Sequence, residues 1–152
     1  MVEQLDRVVE GVGALHSQLV LLVGKNEIAS SAVLSDYARH RGVTPLNVGG
    51  ELGSRLAALP VRQRALSAPE VLRELADKHT AEGRLLLGKI ELLFDRSLRL
   101  DPLDLLKQLA RARRVVAVWP GKLQDGRLVY AEMGHPEHQN YGLEGLVPFE
   151  VQ

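Results

Sequence analysis

A chain of 152 residues with 45% hydrophobic and 25% charged residues fits one globular domain with a buried core. Nineteen basic side chains balance nineteen acidic ones, which excludes a strongly electrostatic, non-specific nucleic-acid binder while allowing a local basic patch. The absence of cysteine excludes disulfides, zinc–thiolate sites, iron–sulfur clusters and thiol chemistry.

No apolar run approaches the roughly 20 residues that span a bilayer. The opening MVEQLDRVVEG lacks the basic segment and apolar core of a signal peptide. A soluble, cytoplasmic protein without membrane contact is the expectation. Leu5, Val8, Val9 and Val12 fall at helical spacing and predict a short amphipathic helix. Residues 18–23 form a continuous apolar run, the pattern of a strand buried on both faces of a parallel sheet. A helix is then expected from Ser30 or Ser31, carrying Val33, Leu34, Tyr37 and Ala38 and closed by Gly42 as its C-terminal cap. A second strand over 43–48 should be broken by the Gly49–Gly50 pair.

Leu52, Leu56 and Leu59 mark a helix stopped by Pro60. The polar VRQRALSA that follows reads as a surface loop, and Ser67 with Glu70 as a capping box for the next helix. Residues 85–93 contain a third strand. Asp101 and Pro102 make an N-cap and first-turn pair for a helix with Leu103, Leu106, Leu109 and Ala110 on one face. A fourth strand is expected over 115–119. Asp125–Gly126 signals a turn, 127–132 a strand, and 147–151 a last short one. Strands alternating with helices imply a parallel sheet covered on both sides. No linker, internal repeat or low-complexity tract interrupts the chain. One α/β domain is expected, with an N-terminal helix over 1–16, a core over 18–119 and a strand-and-loop segment over 120–152.

The stretch LVLLVGKNEIASSAVL (19–34) has the outline of a P-loop, whose form is G-x-x-x-x-G-K-[ST] between a strand and a helix. In such a loop backbone N–H groups wrap the phosphates, the lysine neutralises charge and the hydroxyl holds magnesium. Aligned this way, Gly24 is the first glycine and Ser31 the hydroxyl. Ala29 takes the place of the second glycine and Ser30 that of the lysine. A β-carbon at 29 hinders close approach, Ser30 supplies no charge, and Glu27 adds a repelling one. Lys25 partly compensates. The metal-binding half should follow the third strand, but RLLLGKIELLFD (84–95) has Gly88 where an aspartate would stand, with Glu91 and Asp95 further along. The reading is a plain strand-to-helix turn on a fold that has lost hydrolysis. Its candidate nucleotide residues are Gly24, Lys25, Ser30, Ser31 and Glu91.

Three segments, IELLFD, LDPLDLLKQLARARRVVAVWPG and GRLVYAEMGHPEHQNY, resemble BrxF, the small P-loop-type protein of some BREX phage-defence systems. The resemblance covers most of the chain from Leu19 onward. It implies a P-loop NTPase-like three-layer α/β sandwich with a mostly parallel sheet of about five strands. It also implies a cytoplasmic protein working beside other BREX proteins, including a larger ATPase and a DNA methyltransferase. The helical lid domain that many such ATPases carry is not expected after the fifth strand.

Other groups were weighed beside the loop. His135, Pro136, Glu137 and His138 bring two imidazoles and a carboxylate together, yet a structural metal site needs three or four convergent ligands. No metal is expected there, and the resemblance makes Gly134, His135, Pro136 and Glu137 a candidate recognition or interface loop. Arg111, Arg113 and Arg114 suit a helix C-terminus as solvated charges, or contact a partner or DNA. Arg62 and Arg64 form a smaller basic group. Trp119 is expected at the carboxyl end of the fourth strand, packed against the Gly24 loop.

The favoured expectation is a non-catalytic or ATP-binding-impaired subunit that acts through protein–protein interaction and needs no cofactor of its own. Homo-oligomerisation fits a P-loop-like core. The alternatives are an ATP- and magnesium-binding, weakly hydrolysing subunit, and a DNA-binding accessory protein.

Overall fold

The apolar run after Gln18 becomes β1 (Leu19–Val23), buried at all five residues. The computed structural model describes residues 1–130 and 139–152. Ahead of β1 lies α1 (Val2–Gly11), which turns Leu5 and Val9 inward. After it come α2 (Glu27–Arg41), β2 (Leu46–Asn47), α3 (Val48–Ala57), α4 (Val61–His79) and β3 (Arg84–Gly88). Two 3-10 turns (Ile90–Phe94 and Arg96–Leu98) lead to α5 (Pro102–Leu109) and β4 (Arg114–Val118). The chain ends with β5 (Lys122–Gln124), β6 (Arg127–Tyr130), β7 (Gln139–Tyr141) and β8 (Val147–Glu150).

Five strands pair in parallel in the order β2-β3-β4-β1-β8. Side chains alternate across them, as the period of a strand requires. Val20, Leu22, Leu86, Val116 and Val118 pack with α1 and α2. Leu19, Leu21, Leu85, Leu87, Val115 and Ala117 pack with α3, α4 and α5. The result is a three-layer α/β sandwich, as expected. A smaller antiparallel sheet, β5-β6-β7, is added after β4. Its hairpin turns at Asp125 and Gly126, both at positive φ (52° and 72°), the chemistry of a two-residue turn.

Neither edge of the large sheet invites another strand. β2 is two residues long. On β8 the Val151 N–H donates to the Val23 carbonyl at 2.7 Å, so Val147 and Phe149 also face β1 while Pro148 and Glu150 face outward. Pro148 has no N–H to offer there.

Local capping chemistry fell where the sequence put it. Gly42 closes α2 in the left-handed region (φ 67°), and Asp101 Oδ1 accepts from the Asp104 N–H at 3.1 Å to start α5. Three expectations are corrected. The helix after β1 begins at Glu27, three to four residues early, because Asn26 caps it. The strand expected over 43–48 shrinks to two residues, and Gly49 and Gly50 lie inside α3, which Asn47 caps through Gly50 N at 2.9 Å. VRQRALSA is the beginning of α4 rather than a loop, and Ser67 and Glu70 sit in that helix's interior, astride Pro69. The last short strand expected over 147–151 is present as β8, at the edge of the main sheet.

At the amino end of the strands a polar network ties α1 down. Arg41 donates to both carboxylate oxygens of Asp6 at 2.7 and 2.8 Å and to Glu10 at 3.0 Å. Arg84, buried at the start of β3, donates to the Tyr37 hydroxyl at 3.1 Å and bonds Glu10. Burial alone would raise the Asp6 carboxyl, but the hydrogen bonds and charge of Arg41 outweigh it and hold Asp6 below its ordinary 3.8. Burial, then the Asp6 charge, pushes Tyr37 up to about 12.

A folded-state pKa below the unfolded one means that Asp6 stabilises the fold above pH 3.8 and loses that contribution as pH falls through its lowered value. For Tyr37 the raised value means stability lost as pH rises from 10 toward 12. Melting curves across pH should therefore show a shallower acid limb for Asp6→Asn and a shallower alkaline limb for Tyr37→Phe. Arg84→Met should lower stability by about 2–3 kcal/mol, the scale of lost hydrogen bonds between charged groups.

Candidate functional site at the carboxyl end of the sheet

Ligands of open parallel sheets bind beyond the carboxyl ends of the strands, where β1 runs into α2. Only Gly24, Lys25 and Asn26 connect the two. Asn26 adopts an extended backbone, and its Oδ1 accepts from the Ala29 N–H at 2.8 Å. Helix formation therefore absorbs Ala29, Ser30 and Ser31, which a P-loop would spend on phosphate contacts. Ser30, at the motif's lysine position, is 1% exposed, and its Oγ has no hydrogen-bond partner. That hydroxyl lies directly behind Gly24, where an added β-carbon would sit 2.6 Å from it and 3.3 Å from Val151 Cβ. Ser31 is half-buried on the same helix, and Lys25 is exposed.

β3 ends at the same side of the molecule. Lys89 follows it in the left-handed region (φ 54°), and its carbonyl accepts from Gly49 N at 2.9 Å. Its Nζ pairs with Glu27 at 3.3 Å. Glu91 falls in the next 3-10 turn with Oε1 buried and without a partner. Asp95 caps the second turn through Ser97 N at 2.9 Å.

Trp119 does not back the Gly24 loop; Ser30 and Val151 do. It is 1% exposed within the core on the α3–α5 face. Its indole N–H donates to the Val129 carbonyl at 3.2 Å, and its ring meets Phe94 and Tyr141 edge-on at 5.5 and 5.8 Å. Phe94 in turn stacks on Tyr130 at 3.9 Å. Four of the chain's six aromatic side chains thus clamp the small sheet to the domain. Edge-on and offset ring pairs of this kind add stability beyond area burial.

The arginines lie at the other end. Arg114 opens β4, and Arg111 and Arg113 precede it, so five residues of strand, about 16 Å, separate them from the loop. Arg113 is committed to Asp77 at 2.9 Å and Thr80 Oγ1 at 3.0 Å. The Arg114 guanidinium covers Gly13, and Arg111 is exposed. Arg64 caps the end of α3 through the Leu59 carbonyl at 3.1 Å. His135 and Glu137 lie outside the described residues.

Between the Gly24–Lys25 turn, Lys122 and Leu123 of β5, and Glu150 and Val151 at the end of β8 opens a cleft of about 370 Å³. Lys122, Leu123 and Glu150 carry no sequence signal for this site: β4, paired with β1, delivers β5 to the loop, and β8, on the other side of β1, delivers Glu150. Among the described residues no group of three His, Asp or Glu side chains is placed to hold a metal ion. No helix among them is long and apolar enough to cross a membrane.

The sheet and its carboxyl-end cleft define a three-layer α/β protein with a capped, three-residue connection at the position of the expected loop. Comparison with protein-family models, with curated proteins and with solved structures finds no match for this chain.

The close approach at Gly24 is testable. Gly24→Ala should destabilise by about 1–3 kcal/mol through overpacking. Ser30→Ala, which removes a buried hydroxyl without a partner, should be neutral or stabilising by about 1 kcal/mol. Chemical denaturation of the double variant should recover part of the Gly24→Ala loss, because the two sites share one contact.

Proposed function

We propose that the chain is a P-loop-like subunit impaired in ATP binding, without hydrolytic activity, that acts through protein–protein interaction in a phage-defence complex of the BREX type. The observation that carries this reading is the capped three-residue connection Gly24, Lys25, Asn26. A polyphosphate needs several backbone N–H groups in a concave loop, and here the turn is too short while the cap takes one of the donors. Gly88 at the end of β3 leaves no carboxylate at the expected metal position.

The P-loop-like part of the reading is supported by the strand order, in which β4 lies between β1 and β3. That puts the end of β4 in the middle of the carboxyl edge, where many P-loop ATPases carry a polar sensor residue. Trp119, turned into the core and bonded to the Val129 carbonyl, does no such work on a phosphate. The resemblance of residues 90–141 to BrxF supplies the defence context and the expectation of a larger ATPase among the partners.

One observation favours the second reading, an ATP-binding subunit. Ser30 Oγ and Glu91 Oε1 are both buried without partners at this end of the sheet, and the cleft beside Lys25 has the volume of a small-ligand site. Melting of the purified chain with and without millimolar ATP and magnesium separates the two. A ligand held at about one hundred times its Kd adds about 2.7 kcal/mol, about 5 °C or more for a domain of this size. The proposal expects no shift; a shift abolished by Lys25→Ala would overturn it.

A further inference from the structure

We propose that the cleft beside Lys25 is a docking site for an acidic, partly apolar segment of a partner protein. The inference rests on the interaction reading above and names the surface and the chemistry of what occupies it.

Charge and shape both favour such an occupant. Lys25 and Lys122 both line the cleft and are exposed, and no ion pair among the described residues engages either of them. The neighbouring Lys89, by contrast, is neutralised by Glu27. α2, a helix of 15 residues, presents its positive end at the same turn. Of the N–H groups in its first turn, the Asn26 side chain takes only that of Ala29. Behind Gly24 stands the partnerless hydroxyl of the buried Ser30. Three sources of positive potential thus converge on one open cleft whose walls also include the apolar Val23, Leu123 and Val151. Ile28, in the first turn of α2 three residues beyond Lys25, is 81% exposed.

The occupant follows from what the cleft lacks. Among the described residues no aromatic side chain lines it, so nucleic-acid bases find nothing there to stack on. Glu150 lines it too, and one carboxylate opposes a multiply charged phosphate chain more strongly than single carboxylates spaced along a peptide. A segment alternating Asp or Glu with Leu or Val satisfies the lysines and the apolar walls together, and its acidic side chains meet the helix end as carboxylates do elsewhere.

Amide NMR spectra of the full chain, titrated with a synthetic peptide alternating Glu and Leu, test the proposal. Shifts should concentrate at Gly24, Lys25, Ile28 and Lys122, and affinity should fall as salt rises. Lys25→Glu with Lys122→Glu should weaken binding about tenfold or more, and Glu150→Gln should tighten it about two- to threefold. These positions are exposed, so an unchanged melting temperature shows that the variants are folded.

Peptide shifts centred on Arg111 and Arg114, indifference to both substitutions, or stronger binding of oligo-thymidylate than of the peptide would overturn the docking site. If the peptide fails while ATP leaves melting unmoved, the docking site falls and the proposed function stands. ATP that stabilises the chain and displaces the peptide overturns both.

Discussion

Burial of Leu19–Val23 on both faces is the constraint on which the rest of the molecule depends. A strand with no exposed side chain needs a neighbour on each side and a layer above and below. β4 and β8 supply the first, and the helical layers supply the second. Because every strand of the main sheet runs parallel to β1, each return crosses the sheet, and the loops divide into an amino-end set and a carboxyl-end set. The two sets differ in character. Both ends hold buried polar atoms without partners, but the amino end is closed by ion pairs among α1, α2 and β3, whereas at the carboxyl end Lys25 and Lys122 make no ion pair among the described residues.

The exit from β1 is decided by a competition between two uses of the same backbone donors. A helix that starts at Glu27 satisfies the Ala29 N–H through the Asn26 side chain, and a cap of this kind is worth about 1 kcal/mol. A phosphate loop needs those donors held open for the ligand instead. With Ala29 in place of glycine and Ser30 in place of lysine, nothing in the local sequence opposes the cap. Ser30 then turns inward, and its hydroxyl fills the space a side chain at 24 would need.

Features written in short-range chemistry were legible from the sequence. Gly42, Asp101 with Pro102, and Asp125–Gly126 each act within a few residues, so their signals survive without knowledge of the fold. The α/β class followed from the alternation of apolar runs with helical spacing. What failed was local pattern overruled by context. Residues 61–67 include no buried side chain, so no apolar stripe announced the first turns of α4. Gly49 and Gly50 look like breakers, but the Asn47 cap and the Lys89 carbonyl hold them in a helix. At the candidate site Lys25 and Glu91 could be nominated from the loop template. Lys122 and Glu150 could not, because they reach the loop only through the pairing of β4 and β8 on either side of β1. The aromatic clamp was invisible for the same reason: Phe94, Trp119, Tyr130 and Tyr141 share no spacing.

The outward-facing Pro148 has a consequence for crowded conditions. Amyloid-like growth and sheet-to-sheet fusion both begin when an unpaired strand recruits another through its backbone. Here one border of the main sheet is only two residues long and the other is missing a donor. Copies brought close together therefore do not fuse through their main sheets. Contacts across those two edges are left to side chains, which can discriminate one neighbour from another.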